Sequence, residues 1–414
     1  MFNVSSFIQY HRTNQGLSQR DLAEGICSIS YLSKIENATI EPSQDLFNEL
    51  CERLGVSLES FNKMTNYAIE DEIMWLYKLI SKKNFNEASS YYQFLKNQLT
   101  PFHHEKIIHL FKLIELYYFI EMKDDRVNYY EIDELLRMES SFEEEKRYYF
   151  LKIMGVYYIH LAYPHQAILY LIDAEQVLTR YAMKGPDLYY LIAATYTRLS
   201  EPARSNHYCQ IAKEQYINVF MYPKITNCYI LFGINYTLLQ AFDIAERYFF
   251  QVLNSRPMMD SDHVTANVQY NIGFMYCEKQ DWERALNYLH QAFSGFYSTF
   301  EKLHCVQLIA KAYHHLQEYN EAMSYIEYGK QLSDQIGDQK IRCLLWLLEH
   351  RIYDTLHTTQ FTNEAEQYWL NYLVERGENR TLKQLYFFLA ESLVSQNRDS
   401  EAITYYKKLM QIGI

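Results

Sequence analysis

Glycine and proline are scarce in this sequence, at 12 and 7 of 414 residues. Their scarcity excludes turn-rich β architecture and long disordered linkers, both of which draw on these two residues. Positive charge is short as well. Lys and Arg total 39 against 51 Asp and Glu, for a net charge of −12. A general nucleic-acid coat is therefore excluded, and any DNA contact must come from a local patch. The cysteines at 27, 51, 209, 228, 277, 305 and 343 form no CxxC pair and no Cys/His cluster at metal spacing. Such an odd, dispersed set fits buried thiols in a reducing cytoplasm. No run approaches the length of a membrane span, and MFNVSSFIQYHRTNQG lacks an apolar core of signal-peptide length. A cytoplasmic protein without membrane contact is expected. GxxxxGK[ST], HExxH and GxSxG are missing, as is any Gly-rich phosphate loop, so no enzymatic activity, cofactor or metal is expected.

What is abundant is tyrosine, 40 residues, beside 23 phenylalanines. Together they point to extensive packing between half-buried surfaces, where the ring is apolar and the hydroxyl stays wet. A chain of this length is too long for one ordinary core, so two domains or a repeat array are expected.

The first sixty-odd residues are dense in helix signals. Phe7, Ile8 and His11 share one face of a first helix that Asn14-Gln15-Gly16 ends. Ser18 caps the next, with Asp21 three residues on and Leu22 and Ala23 facing inward. Gly25 breaks it. Ser28 or Ser30 caps a third helix, Pro42-Ser43 opens a fourth carrying Leu46, Leu50 and Leu54, and a short fifth starts at Ser57. Two helices joined by a tight Gly-containing turn are what a helix-turn-helix requires. In the third helix, within ICSISYLSKIEN, the outward set is Ser28, Ser30, Tyr31, Ser33 and Lys34, and Ile29, Leu32 and Ile35 are candidates for the inward set. So many hydroxyls on an exposed face suit hydrogen bonding in a major groove.

Over residues 1 to 66 the chain resembles the Xre/lambda-repressor family of helix-turn-helix domains. LSQRDLAEG, SYLSKIENA, PS and LCERLGVSLESF carry the likeness, with a GICS turn about one residue shorter than usual. The resemblance implies backbone-phosphate contacts by Gln19 and Arg20 and groove contacts by Ser28, Ser30, Tyr31 and Lys34. Glu36 and Asn37 are read as capping and bracing the domain. The segment carries 5 basic and 8 acidic residues, with Arg12, Arg20 and Lys34 expected to share the DNA face. Such a weakly charged domain implies a dimer on a two-fold site.

From about residue 70 a pattern recurs. Gly273, Tyr276, Ala285, Leu289 and Ala292 are matched by Gly233, Tyr236, Ala245, Phe249 and Val252, and by Gly155, Tyr158, Ala167, Leu171 and Ala174. A small residue starting each second helix falls near 88, 127, 167, 205, 245, 285, 322, 365 and 402. This resembles the tetratricopeptide repeat (TPR), in units a few residues longer than the common ~34. The expected fold is all-α: a helix-turn-helix domain (1–66), a short hinge (67–72), and a right-handed superhelix of about nine TPR-like hairpins (73–414) for peptide sensing and oligomerisation. In such a repeat the inner face is lined by first-helix positions around the small residue. Counting back from Gly233 and Gly273 reaches Asn227 and Asn267, equivalent positions in adjacent units. A lone Asn is better explained as capping or hydrating a helix. The repetition favours a ligand, because a primary amide both donates to and accepts from an extended backbone. Asn271, His304, Gln307, Lys311, His314, His350, Arg351 and Asp354 fall on inward positions too, as do Lys152, Tyr190 and Arg198.

The combination resembles the RRNPP family of Gram-positive peptide-pheromone receptors, in its longer NprR-like branch rather than the shorter PlcR-like one. The resemblance implies a quorum-sensing transcription regulator, a homo-oligomer and most simply a dimer. Its partners are double-stranded DNA and a short linear signalling peptide, gripped through inward asparagines that map to Asn227, Asn267 and Asn271. Two other readings stay open: a Rap-like regulator that binds a response regulator of a sporulation phosphorelay, and a TPR scaffold that binds a partner's C-terminus. The resemblance also leaves open whether peptide promotes or releases DNA binding.

Overall fold

The computed structural model describes residues 4–56, 58–99, 105–143, 145–255 and 262–412, and all their side chains except those of residue 6 and residues 58–68. Among these residues there are helices and no strands. The chain divides into two compact units, Met1–Tyr157 and Tyr158–Ile414.

The first unit opens with α1 (Val4–Asn14), α2 (Gln19–Ala23), α3 (Ile29–Glu36) and α4 (Gln44–Arg53) around a core of Phe7, Ile8, Leu22, Leu32, Ile35, Phe47 and Leu50. The caps are the ones that the sequence announces. Ser18 and Asp21 form a capping box on α2, Ser28 Oγ accepts from Tyr31 N on α3, and Ser43 caps α4. Each satisfies an amide that the first helical turn leaves orphaned. The fifth helix departs from expectation. Ser57 lies outside the described residues, and α5 (Leu58–Ser81) is 24 residues long rather than short. Residues 67–72, expected as a hinge, lie within it. Nothing in FNKMTNYAIEDE breaks a helix, since it holds neither Gly nor Pro. The unit continues through α6 (Phe85–Gln98), α7 (Glu105–Met122), a 3₁₀ turn (Asp125–Tyr129), α8 (Ile132–Arg137), a second 3₁₀ turn (Met138–Ser141) and into α9 (Lys146–His160).

The second unit stacks antiparallel hairpins. They run from α10 (Pro164–Arg180) through α11 (Pro186–Arg198), α12 (Pro202–Asn218), α13 (Tyr222–Leu238), α14 (Phe242–Asn254), α15 (Asp262–Glu278) and α16 (Trp282–Gly295). After these come α17 (Thr299–His315), α18 (Tyr319–Ile336), α19 (Gln339–Ile352), α20 (Thr359–Glu364), a π-helical turn (Ala365–Trp369), α21 (Leu370–Glu375), α22 (Asn379–Ser395) and α23 (Asp399–Gln411). The predicted small positions are all buried: Ala88, Val127, Ala167, Ser205, Ala245, Ala285, Ala322, Ala365 and Ala402. Close crossing is the reason. A Cβ on Gly273 would come within 2.6 Å of Leu289 Cγ, and one on Gly233 would overlap the Phe249 ring.

Two further regularities explain the composition. Each tight turn between the helices of a hairpin places one residue in the left-handed region, and none of these residues is glycine: Lys83, Lys123, Ala162, Ser200, Gln240, Gln280, Gln317, Asp354 and Asn397 have φ between 54° and 65°. The turns are closed by C-terminal caps such as Ala241 N to Tyr236 O at 2.9 Å and Asp281 N to Tyr276 O at 2.9 Å. The chain therefore turns repeatedly with little glycine. The tyrosines form the second regularity. Tyr158–Tyr170, Tyr196–Tyr208, Tyr236–Tyr248, Tyr276–Tyr288 and Tyr313–Tyr325 each stack with centroids 5.3–5.7 Å apart. A stacked pair adds about 0.5–1.5 kcal/mol beyond the area that it buries.

Candidate nucleic-acid interface and ligand cavity

In the helix-turn-helix, three helices meet at one carboxylate. Glu36, at the end of α3, is buried. Arg12 of α1 donates to it twice, Nε to Oε1 at 2.6 Å and Nη2 to Oε2 at 2.9 Å. Gln19 Nε2 of α2 donates to Oε2 at 2.7 Å. The third donor of Arg12, Nη1, caps the Leu17 carbonyl at 2.7 Å. Arg12, expected on the DNA face, is thus consumed by the fold, because the Glu36 carboxylate is desolvated and needs it. The bracing role read for Glu36 stands. Gln19 is half-buried on this same network, and Arg20 is exposed.

Around the start of α3 the exposed residues are Ser28, Ile29 and Ser30, with Lys34 a turn later. Ile29 was a candidate for the inward set; it is instead 47% exposed. Leu32 and Ile35 fill the inward stripe, and a residue three before Leu32 falls at its edge. Tyr31 is half-buried, its ring against the domain core. The presented surface is thus two serines, a branched apolar side chain and a lysine, with Arg20 alongside in sequence on α2.

The expected ligand residues separate into groups. Lys152 lies in the first unit, buried, and its Nζ donates to Tyr77 Oη at 2.8 Å. A phenol hydroxyl 75 residues away accepts from its buried ammonium, so it does not face a ligand. The other expected residues lie in the second unit. Asn227 on α13 and Gln307 on α17 are half-exposed, and neither amide has a hydrogen-bond partner among the described residues. Asn271 on α15 is 8% exposed and donates to both the main-chain O and Oδ1 of Asn267, each at 2.8 Å. That clamp orients the Asn267 amide, whose Nδ2 has no hydrogen-bond partner among the described residues. Arg198 on α11 reaches the Ile159 carbonyl at 3.4 Å. Tyr190, Arg198, Tyr270 and His304 keep solvent access although protein surrounds them enough to disfavour their charged forms. Those two properties coexist on a concave surface.

Gln307 and Lys311 line a cavity of about 650 Å³, and His304 and Arg351 join them there. Asn227, Asn267, Asn271 and Arg198 are not among its lining residues. His350 is turned away toward Thr355, with Nδ1 2.7 Å from its hydroxyl. Sequence reasoning missed one polar network. Asn235, fully buried, accepts from Thr197 at 2.7 Å and donates to Ser205 at 2.7 Å and Asn206 at 2.9 Å, tying α11, α12 and α13 together. Its sequence signal was an amide two residues after a repeat glycine, on the apolar side of a helix.

A small hydroxyl-faced helix-turn-helix followed by stacked helical hairpins with unpaired amides defines a sensor-type DNA-binding architecture. Residues 8–61 match the helix-turn-helix family HTH_3. The transcriptional activator NprA of Geobacillus stearothermophilus is 25% identical over 396 residues, 94% of each chain. Among solved structures, NprR in complex with its cognate peptide NprX superposes with a TM-score of 0.69 at 18% identity, covering 83% of this chain and 98% of that one. A Rap protein complexed with competence and sporulation factor gives 0.71 at 18% identity, covering 84% and 98%. The chain is thus similar to NprA over nearly its whole length, and it shares the helical fold of the NprR and Rap structures.

Proposed function

We propose that this chain is a cytoplasmic transcription regulator that binds DNA through α3 and is switched by a short signalling peptide held by the repeat array. The observation that carries the reading is a set of amides at successive first helices, Asn227 and Gln307 with no protein partner among the described residues and Asn267 with its Oδ1 held by Asn271 and its Nδ2 not engaged there, behind an N-terminal domain whose exposed helix face carries serines. An amide without a protein partner beside a concave surface is ready to pair with an extended peptide backbone. The DNA-binding part is 1–66, α5 carries the chain across 67–72, and 73–414 senses peptide and forms the oligomer. Ser28, Ser30 and Lys34 contact the groove, with Tyr31 at its margin, and Arg20 contacts phosphate beside a Gln19 oriented by Glu36. Single-domain affinity is weak at this charge, so a homodimer on a two-fold site supplies the rest.

Gel-shift titration on DNA upstream of the gene, with and without the peptide encoded by a neighbouring short secreted reading frame, tests the proposal. A peptide-dependent change in DNA affinity supports it; identical titrations contradict it. A second reading, capture of a response regulator by the array, draws on the exposed Phe220 and Tyr297 at connections between hairpins and Tyr222 at the start of α13. Loss of phosphoryl transfer to that partner in the presence of the chain distinguishes it.

A further inference from the structure

The cavity in the second unit differs in charge from the chain that contains it. Lys311, Lys340, Arg351, Arg380 and Lys383 line it against the single carboxylate of Glu278, in a protein of net charge −12. Internal pairing consumes part of that charge. Arg380 Nη2 is 2.6 Å from Glu278, whose other oxygen lies 3.9 Å from Lys311. Lys340 pairs with Glu378 at 2.5 Å. Arg351 and Lys383 are left with no carboxylate partner among the described residues. Arg351 is half-buried, with its guanidinium 5.8 Å from the centre of the Phe388 ring. Burial disfavours its charge, and its field adds to the burial that pushes His314 and His315 down. A cation kept in such a place without a counter-ion is costly until a ligand supplies one. The remaining wall mixes polar groups such as Gln307 and Gln384 with an apolar stretch, Leu344 and Leu348 beside Phe387, which is 45% exposed. A cavity of about 650 Å³ falls inside the range of sites that hold small ligands.

We infer that this cavity selects an anionic ligand, a short peptide segment presenting a carboxylate beside apolar side chains, with Arg351 and Lys383 as its counter-charges. The inference rests on the peptide-sensor reading and narrows it. The carboxylate has two sources, an Asp or Glu side chain or the peptide's own C-terminus.

The test incubates the full-length chain with an equimolar synthetic heptapeptide library, once as free acids and once as C-terminal amides, and reads the retained peptides by mass spectrometry. Enrichment of Asp or Glu next to an apolar residue in both libraries assigns a side-chain carboxylate; retention confined to the free acids assigns the chain end. In either case Arg351→Gln should lower the preference for the anionic form about tenfold, the weight of one charge-assisted hydrogen bond. Lys383→Gln, outside the buried core, covers the event that Arg351→Gln disturbs the fold. Retention without acidic preference, or a preference unchanged in both variants, overturns the inference and leaves the sensor reading standing. Retention of no peptide by the folded chain overturns both.

Discussion

Glu36 ties α1 and α2 to the last turn of α3, on the buried side of the helix proposed to bind DNA, so its removal tests fold and not readout. Glu36→Ala leaves Arg12 unpaired and is expected to cost the N-terminal domain about 3 kcal/mol, the usual scale for breaking a buried pair, read as a fall in its denaturation midpoint. Asn227→Ala and Asn267→Ala should abolish the peptide-dependent change in DNA affinity, with peptide-free affinity measured alongside as the control for folding. If both variants respond like the parent, the amides are not the peptide's partners. His314 supplies a pH dependence. Burial and then Arg351 push its pKa down to about 4, against an ordinary value near ~6.5. The folded state therefore binds fewer protons than the unfolded one, so His314 contributes stability above about pH 6.5 that is lost as pH falls toward 4. His314→Gln should flatten the melting-temperature profile across that window, and an unchanged profile would refute the assignment. Capping serines were legible in the sequence because capping is local. Arg12, Ile29 and Lys152 were not, because their partners stand up to 75 residues away or depend on the tilt of a helix.

The hairpins were legible for a related reason: burying a small residue at each crossing imposes a period that survives changes of letter. Two properties of the elements were hidden. The turns use non-glycine residues at positive φ, so nothing in the composition marks them. A left-handed residue other than Gly is strained by about 1 kcal/mol or more, partly offset by the unfolded-state entropy that Gly adds. Gln280→Gly, at φ 63°, should therefore raise stability by roughly 0.5 kcal/mol, seen as a higher urea midpoint with unchanged slope. The continuity of α5 was hidden as well, since a polar stretch without Gly or Pro reads equally as linker or helix. If α5 transmits the switch, the double change Tyr67→Gly and Ala68→Gly, costing about 1 kcal/mol per residue of helix, should leave DNA and peptide binding measurable separately and reduce the effect of one on the other. An intact response in that variant would assign transmission elsewhere.

At the scale of the whole molecule, the account joins a helix-turn-helix domain of low positive charge, proposed to bind DNA, to a repeat array whose amides and cationic cavity are proposed to bind a peptide. Stacked hairpins suit this task, because small rotations between neighbours add along the stack and a ligand spanning several of them biases the sum. If one ligand's binding alters the other's, the coupling is a single free energy and must be reciprocal. The most direct measurement is that reciprocity. DNA affinity is titrated with and without saturating peptide, and peptide affinity with and without saturating DNA, on the full-length chain. The account predicts two ratios that differ from unity and equal each other; ratios of one, with both ligands bound, would contradict it.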